Sequence, residues 1–349
     1  MISNKRIEFI KEIPTPNDIL KNIPLTKKNK DVVINARNEI EKILDGISNK
    51  LVVIVGPCSI HNPEAAIEYA KYLKKKIDIY KDNLVIIMRT YFSKPRSSIG
   101  WKGYINDPNL DNSFNIGSGL VKSRELLVQI LNLGVPCSME QLDTIVPQYF
   151  NDLLSWSAIG ARTSESQVHR ELASGISTPI GFKNNTEGNV NVAIQGIISC
   201  QNTHNFIGCN MDGKISRIKT YGNKYSHIIL RGSSKGPNYY EDNIKNVGKE
   251  LEKHKLLKNI FIDFSHGNSN KDYRNQYKVA EDICQQIKNG NFSIKGCMIE
   301  SNINEGKQNI DDKPLKYGVS VTDSCINLDT TDDILEILNL SVISRNENY

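Results

Sequence analysis

The chain has 349 residues, 39% of them hydrophobic and 24% charged, with a formal net charge of +5, an ordinary globular composition that is long enough for one large parallel barrel with additions. The small positive excess is not gathered into one run, which argues against a nucleic-acid partner and leaves anionic small molecules. Seven scattered cysteines without Cys-x-x-Cys spacing argue against a disulfide framework, and neither an apolar leader after Met1 nor a run of about 18 apolar residues is found, so a cytoplasmic protein with no membrane contact is expected.

Up to about residue 50 the sequence reads as an arm followed by a helix. Ile7, Ile10 and Ile13 precede Pro14 and Pro16, and the stretch from Asp31 to Leu44 has helical spacing at Val33, Ile34, Ile40 and Leu44. Short β-branched runs then alternate with amphipathic segments. They start at Leu51, Leu84, Val135, Ala158, Pro179, Phe206, His227, Ile260 and Ile294, and such alternation predicts a parallel sheet. Nine runs are one more than an eight-stranded barrel uses. The run at Phe206 leads through Asp212-Gly213 into a returning run at Ile215, the pattern of a hairpin, so residues 205–221 read as an insertion. The expected fold class is therefore α/β: a (β/α)8 TIM barrel over residues 51–349, with an N-terminal arm and helix over residues 1–50 as an interface or regulatory element, an inserted β-hairpin and a closing helix from Thr330 to Arg345.

The other eight runs each end in or just before a charged or metal-competent residue: Cys58, Arg89, Glu140, Arg162, Lys183, Arg231, His266 and Glu300. Barrel enzymes build their sites at the rim where the strands end. Arg89, Lys94, Arg96, Arg162, Lys183 and Arg231 would then gather in one mouth, where so much positive charge calls for anionic ligands; singly, each is as readily an ion-paired or surface base. Cys58, His266, Glu300 and Asp323 make a thiol, imidazole and carboxylate set suited to one divalent ion of the Mn, Fe, Co or Zn class. Taken one at a time they read equally well as a buried small residue, a rim histidine and loop carboxylates.

Longer motifs carry a resemblance. Gly56-Pro57-Cys58-Ser59-Ile60-His61, Lys94-Pro95-Arg96 with Gly100-Trp101-Lys102-Gly103, Gly160-Ala161-Arg162-Thr163, Gly181-Phe182-Lys183-Asn184, Leu230-Arg231-Gly232, Asp263-Phe264-Ser265-His266, Ile299-Glu300-Ser301 and Val321-Thr322-Asp323 stand in order along the chain. Together they resemble the class I, aromatic-amino-acid-regulated 3-deoxy-D-arabino-heptulosonate-7-phosphate (DAHP) synthases. Ser97-Ser98 and Asn185-Thr186-Glu187 depart from the family's usual Thr-Thr and Gly-Thr-Asp. The resemblance implies condensation of phosphoenolpyruvate with erythrose 4-phosphate by a homo-oligomer, a dimer or tetramer. It implies Cys58, His266, Glu300 and Asp323 as metal ligands, Arg162 and Arg231 on the phosphate of phosphoenolpyruvate, and Arg89, Lys94 and Lys183 around its carboxylate and bridging oxygen. Arg96 and Ser97 would hold the erythrose 4-phosphate phosphate, with Pro95 and Asp323 near its hydroxyls, and Lys94, Glu140 and His266 count as catalytic. An aromatic amino acid inhibitor is implied at Pro147, Gln148, Ser177, Phe206 and Gly208. Gly208, together with the stretch from His266 to Tyr273, is similar to the tyrosine-sensitive branch, because a glycine leaves room for a phenolic hydroxyl. A related barrel that joins phosphoenolpyruvate to arabinose 5-phosphate is the nearest alternative; Lys94-Pro95-Arg96 and the N-terminal arm speak against it. A barrel that has lost activity and serves only as a regulatory subunit is the other, and the full set of candidate ligands speaks against that.

Overall fold

The computed structural model describes residues 2–96 and 98–348, so Ser97 lies outside the described residues. Helix α1 (Pro16–Asn22) interrupts what reads in sequence as an arm. Thr15 and Asp18 form a capping box and Pro16 occupies the first turn, where its missing N–H costs nothing, so a proline that looks like a breaker is a helix start. Helix α2 (Lys27–Leu44) begins with a second box, Thr26 with Asn29.

The barrel then runs β1 (Leu51–Gly56), α3 (Pro63–Tyr80), β2 (Leu84–Arg89), α4 (Ile116–Asn132), β3 (Cys137–Glu140), the single turn α5 (Pro147–Phe150), β4 (Leu154–Ile159), α6 (Gln167–Ala173), β5 (Ile180–Lys183) and α7 (Asn191–Cys200). After the antiparallel pair β6 (Asn205–Cys209) and β7 (Ile215–Lys219) come β8 (Ser226–Leu230), α8 (Glu241–Lys253), β9 (Ile260–Asp263), α9 (Asn275–Lys288), β10 (Ile294–Glu300) and α10 (Leu328–Asn348). Eight parallel strands close in the order β1-β10-β9-β8-β5-β4-β3-β2, while β6 and β7 pair only with each other. The nine runs thus divide as the Asp-Gly turn suggests. The fourth strand lies earlier than its sequence signal at 158–161. In Leu154-Ser-Trp-Ser-Ala-Ile the serines mimic a solvent-facing alternation, yet Ser155 and Ser157 are fully buried, because both faces of a barrel strand are covered.

Two apolar clusters follow from the strand period of two. Leu51, Val53 and Val55 of β1 join the layer between sheet and helices, whereas Val52 and Ile54 join the barrel interior with Ile87, Trp156, Ile229, Phe261 and Met298. Ile40, Ile43 and Leu44 of α2 belong to that interior cluster, so α2 plugs the barrel end opposite the rim. The plug is fastened through its backbone, with Asn259 Nδ2 donating to the Leu44 carbonyl at 3.0 Å. Away from the rim the arm, α5 and the hairpin converge: Tyr149 donates to the Pro14 carbonyl at 2.8 Å, Asn17 N to Met211 O at 2.9 Å, and Gln148 Nε2 to Cys209 O at 2.8 Å. Among the described residues no helix is long and apolar enough to cross a membrane.

Candidate active site

The carboxyl ends of the barrel strands surround a cavity of about 450 Å3. Among the described residues its wall carries seven lysines and arginines (Lys94, Arg96, Arg162, Lys183, Arg231, Lys271 and Lys307) against three carboxylates, Glu140, Glu300 and Asp323. Arg89 and Cys58 lie beneath this wall, 1% and 0% exposed.

Local structure explains why these side chains converge. Arg89, Glu140, Lys183 and Glu300 are the last residues of their strands, so the pleat that buries their neighbours also aims them at the mouth. Lys94 sits in an irregular loop whose backbone is pinned by the Lys94 N to Lys102 O bond at 2.9 Å. That loop requires Gly103, at φ +115°, because a Cβ there would stand 2.2 Å from the Phe92 carbonyl oxygen. Gly160 has a different reason. A Cβ at this position would come within 2.0 Å of Glu140 Oε1, so the glycine makes room for the carboxylate. Asn184 ties two strand ends together by donating to Gly232 O at 3.0 Å and accepting from Arg231 N at 2.9 Å, which fixes where Arg231 begins.

On one side of the cavity, ligand atoms of Cys58, Glu300 and Asp323 lie within 4.8 Å of one another. His266 Nε2 stands 3.9 Å from Glu300 Oε1, so of the four candidate ligands three form a tight group and the histidine abuts it through Glu300. Lys94 Nζ donates to Cys58 Sγ at 2.9 Å and lies 3.8 Å from Asp323 Oδ2. Burial, then the nearby Glu300 carboxylate, push the Cys58 thiol up to about 12, against the pull of Lys94. A cation bound there would have to displace that proton. Burial would also raise Asp323, but Lys94 and His266 outweigh it and bring it down to about 2. A soft thiol, an imidazole and two carboxylates are a donor set that fits a borderline divalent ion, and they stand at a rim where it could reach a bound substrate.

Around this group the arrangement suits anions. Burial lowers the Arg231 pKa, with Asp263 opposing and the like charge of Arg162 adding to it, and both arginines line the cavity. Arg89 reaches Glu300 Oε1 at 3.1 Å and lies over the Tyr91 ring at 4.0 Å, yet its buried Nη1 has no hydrogen-bond partner. Such an array, with more positive than negative groups on the cavity wall, favours anionic ligands. Pro95 and Arg96 line the entrance, and Arg96 Nε donates to Trp101 O at 2.8 Å.

The model of the DAHP synthetase I family matches residues 22–336. The chain belongs to that family. Among curated relatives it is 48% identical over 331 residues to the tyrosine-inhibited phospho-2-dehydro-3-deoxyheptonate aldolase of Schizosaccharomyces pombe, covering 93% of this chain and 89% of that protein. It is also 48% identical over 341 residues to the Phe-sensitive enzyme of Escherichia coli K12, covering 97% of each. A solved structure of the phospho-2-dehydro-3-deoxyheptonate aldolase of Francisella tularensis superposes with a TM-score of 0.96 at 47% identity, covering 97% of this chain and 99% of that one. The family's fold is the barrel described above.

Sequence reasoning passed over several residues at this site. Asp263 stands in the Asp263-Phe264-Ser265-His266 motif with no role implied for it, although it is 1% exposed and contacts both Lys183 and His266. Its position as the last residue of β9 was the available signal. Lys307 reaches the cavity from the loop after β10, and nothing in its local sequence marks it. The five candidate inhibitor residues do not line this cavity. Pro147 and Gln148 lie on α5 against the hairpin that bears Phe206 and Gly208, and Ser177 is exposed in the loop before β5. A Cβ at Gly208 would meet Ile218 Cδ1 at 2.4 Å and the Phe206 ring at 3.5 Å, so the tip of Ile218 fills the room that the glycine leaves.

Proposed function

We propose that this chain condenses phosphoenolpyruvate with erythrose 4-phosphate and water to give DAHP and inorganic phosphate, the step that opens the shikimate route to chorismate and the aromatic amino acids. The observation that carries the reading is one cavity in which an excess of lysine and arginine faces the Cys58, Glu300 and Asp323 group. Arg162 and Arg231 take the phosphate of phosphoenolpyruvate, with Arg89, Lys94 and Lys183 around its carboxylate and bridging oxygen. Arg96, with Ser97, takes the erythrose 4-phosphate phosphate, near Pro95 and Asp323. Holding two anions that repel each other in water, with the enol carbon against the aldehyde, is the chain's main contribution. The methylene carbon of phosphoenolpyruvate attacks the aldehyde carbon, whose oxygen takes a proton. Water adds at the enol carbon, and the carbon–oxygen bond to phosphate then breaks to leave a ketone. Lys94, Glu140 and His266 are the side chains we assign to the catalytic centre. Cys58, His266, Glu300 and Asp323 would hold one divalent ion of the Mn, Fe, Co or Zn class, which supplies Lewis acidity toward the aldehyde oxygen.

The direct test follows the loss of enol absorbance with either aldose phosphate. Phosphoenolpyruvate should be consumed with erythrose 4-phosphate and spared with arabinose 5-phosphate. The opposite preference, or no turnover with either, would overturn the reading.

We further propose feedback inhibition by tyrosine at Pro147, Gln148, Ser177, Phe206 and Gly208. Overall identity does not choose the inhibitor, since the S. pombe and E. coli relatives above are equally similar. Gly208 favours tyrosine, because the tight contact beside it is the tip of Ile218, a side-chain end that can turn aside for a phenol, while the Phe206 ring stands at ordinary contact distance. Initial rates with each aromatic amino acid should fall most with tyrosine; stronger inhibition by phenylalanine or tryptophan, or none by any, refutes this. Assembly as a homo-oligomer, a dimer or tetramer, is supported by apolar residues presented outward on both added elements, Phe9 and Ile10 at 74% and 78% exposure and Ile207 and Ile215 at 82% and 76%. The working compartment we propose is the cytoplasm, in keeping with seven free, buried cysteines.

A further inference from the structure

We propose that Asp263 is a positioning residue that serves the metal group and the phosphoenolpyruvate group at once, through a single carboxylate oxygen. This rests on the reading of the cavity given above and deepens it. Asp263 Oδ2 accepts from Lys183 Nζ at 2.9 Å and stands 2.9 Å from His266 Nδ1. The other oxygen is fully engaged within its own turn, taking the Ser265 N–H at 3.0 Å and the Ser265 hydroxyl at 2.7 Å. Asn268 Nδ2 donates to the Asp263 carbonyl at 2.8 Å and to Leu230 O at 3.1 Å, so the turn after β9 is tied to the end of β8. The carboxylate is therefore not free to rotate, and whatever it holds is held in one direction.

Each partner gains something different. His266 Nδ1 lies 2.7 Å from the Ser265 hydroxyl, whose own proton goes to Asp263 Oδ1, and 2.9 Å from Asp263 Oδ2; both neighbours accept, so Nδ1 carries the hydrogen and Nε2, which faces Glu300, keeps its lone pair. Asp263 thus selects the tautomer able to join the Cys58, Glu300 and Asp323 group, and it fixes the ring's orientation. His266 itself sits in the left-handed region at φ 57°, uncommon for a residue other than glycine, and the Ser265 and Asp263 contacts hold its side chain there. Lys183, 4% exposed, would otherwise be a buried cation with many rotamers; anchored to Asp263 it presents its remaining N–H bonds to the cavity. Because one oxygen holds both groups, its removal is felt on both sides of the cavity.

The test is a set of binding measurements made apart from turnover. Metal affinity is read by titrating metal-stripped protein with Co(II) and following its thiolate charge-transfer band. Phosphoenolpyruvate affinity is read by calorimetry on the metal-free chain. Asp263→Asn should weaken Co(II) binding about tenfold or more and weaken phosphoenolpyruvate binding as well. Lys183→Met should weaken phosphoenolpyruvate alone, and His266→Ala should weaken Co(II) alone. If Asp263→Asn leaves Lys183 unpaired and fails to fold, the Lys183→Met/Asp263→Asn pair removes both charges together, and its Co(II) affinity should fall well below that of Lys183→Met. Wild-type affinity for Co(II) in every chain carrying Asp263→Asn, or loss of phosphoenolpyruvate binding without loss of Co(II) binding, would overturn the inference. A wild-type chain that binds neither Co(II) nor phosphoenolpyruvate would instead overturn the functional reading on which it rests.

Discussion

Exhaustive chelation should abolish turnover, and Mn or a neighbouring divalent ion should restore it. The expectation follows from the close approach of Cys58, Glu300 and Asp323 with His266 beside them, and from their charge state. Cys58 is fully buried with its thiol pushed up, so as a nucleophile it would be inert, and its conspicuous placement at a charged rim makes sense as a ligand. Cys58→Ala should therefore lose bound metal and activity together. It should not unfold the chain: a thiol replaced by a methyl group leaves a small void, and Lys94 keeps Asp323 as a partner, so a cost of about 1 kcal/mol is expected in denaturant titration. Full activity after chelation, verified by metal analysis, would refute this.

The second large effect is a division of labour between arginines. Arg162→Ala should raise KM for phosphoenolpyruvate roughly 10- to 150-fold, the equivalent of about 1.5–3 kcal/mol for one charge-assisted contact, with a much smaller effect on erythrose 4-phosphate. Arg96→Ala should do the reverse. The two residues stand on different elements, Arg162 in the turn after β4 and Arg96 in the loop after β2 beside Trp101. Of the two, Arg162 acts electrostatically on Arg231, which supports its proposed place in the first phosphate site. Steady-state kinetics with each substrate varied in turn would decide the matter; equal effects on both Michaelis constants would show that the two sites are not separate.

The sequence alone determined the barrel and most of the rim. Short β-branched runs separated by amphipathic helices leave few other ways to bury both faces of each strand, and barrel sites are built at the carboxyl ends of the strands, so charged residues that end apolar runs, Arg89, Glu140, Lys183 and Glu300, are legible one by one. The Asp-Gly turn likewise separated the hairpin from the barrel. Prolines whose meaning depends on position hide the start of helix α1, and buried serines that look solvent-facing shift the expected fourth strand toward residues 158–161. What only the tertiary structure decided is which rim residues meet. Cys58 and Asp323 are 265 residues apart and Lys183 and Asp263 are 80 apart, and their contacts depend on strand register around a closed sheet, which no local pattern encodes. Asp263 is the plainest case. In sequence it is a carboxylate ending an apolar run three residues before His266, and only the neighbouring places of β5, β8 and β9 in the sheet bring Lys183 onto the oxygen that faces that histidine.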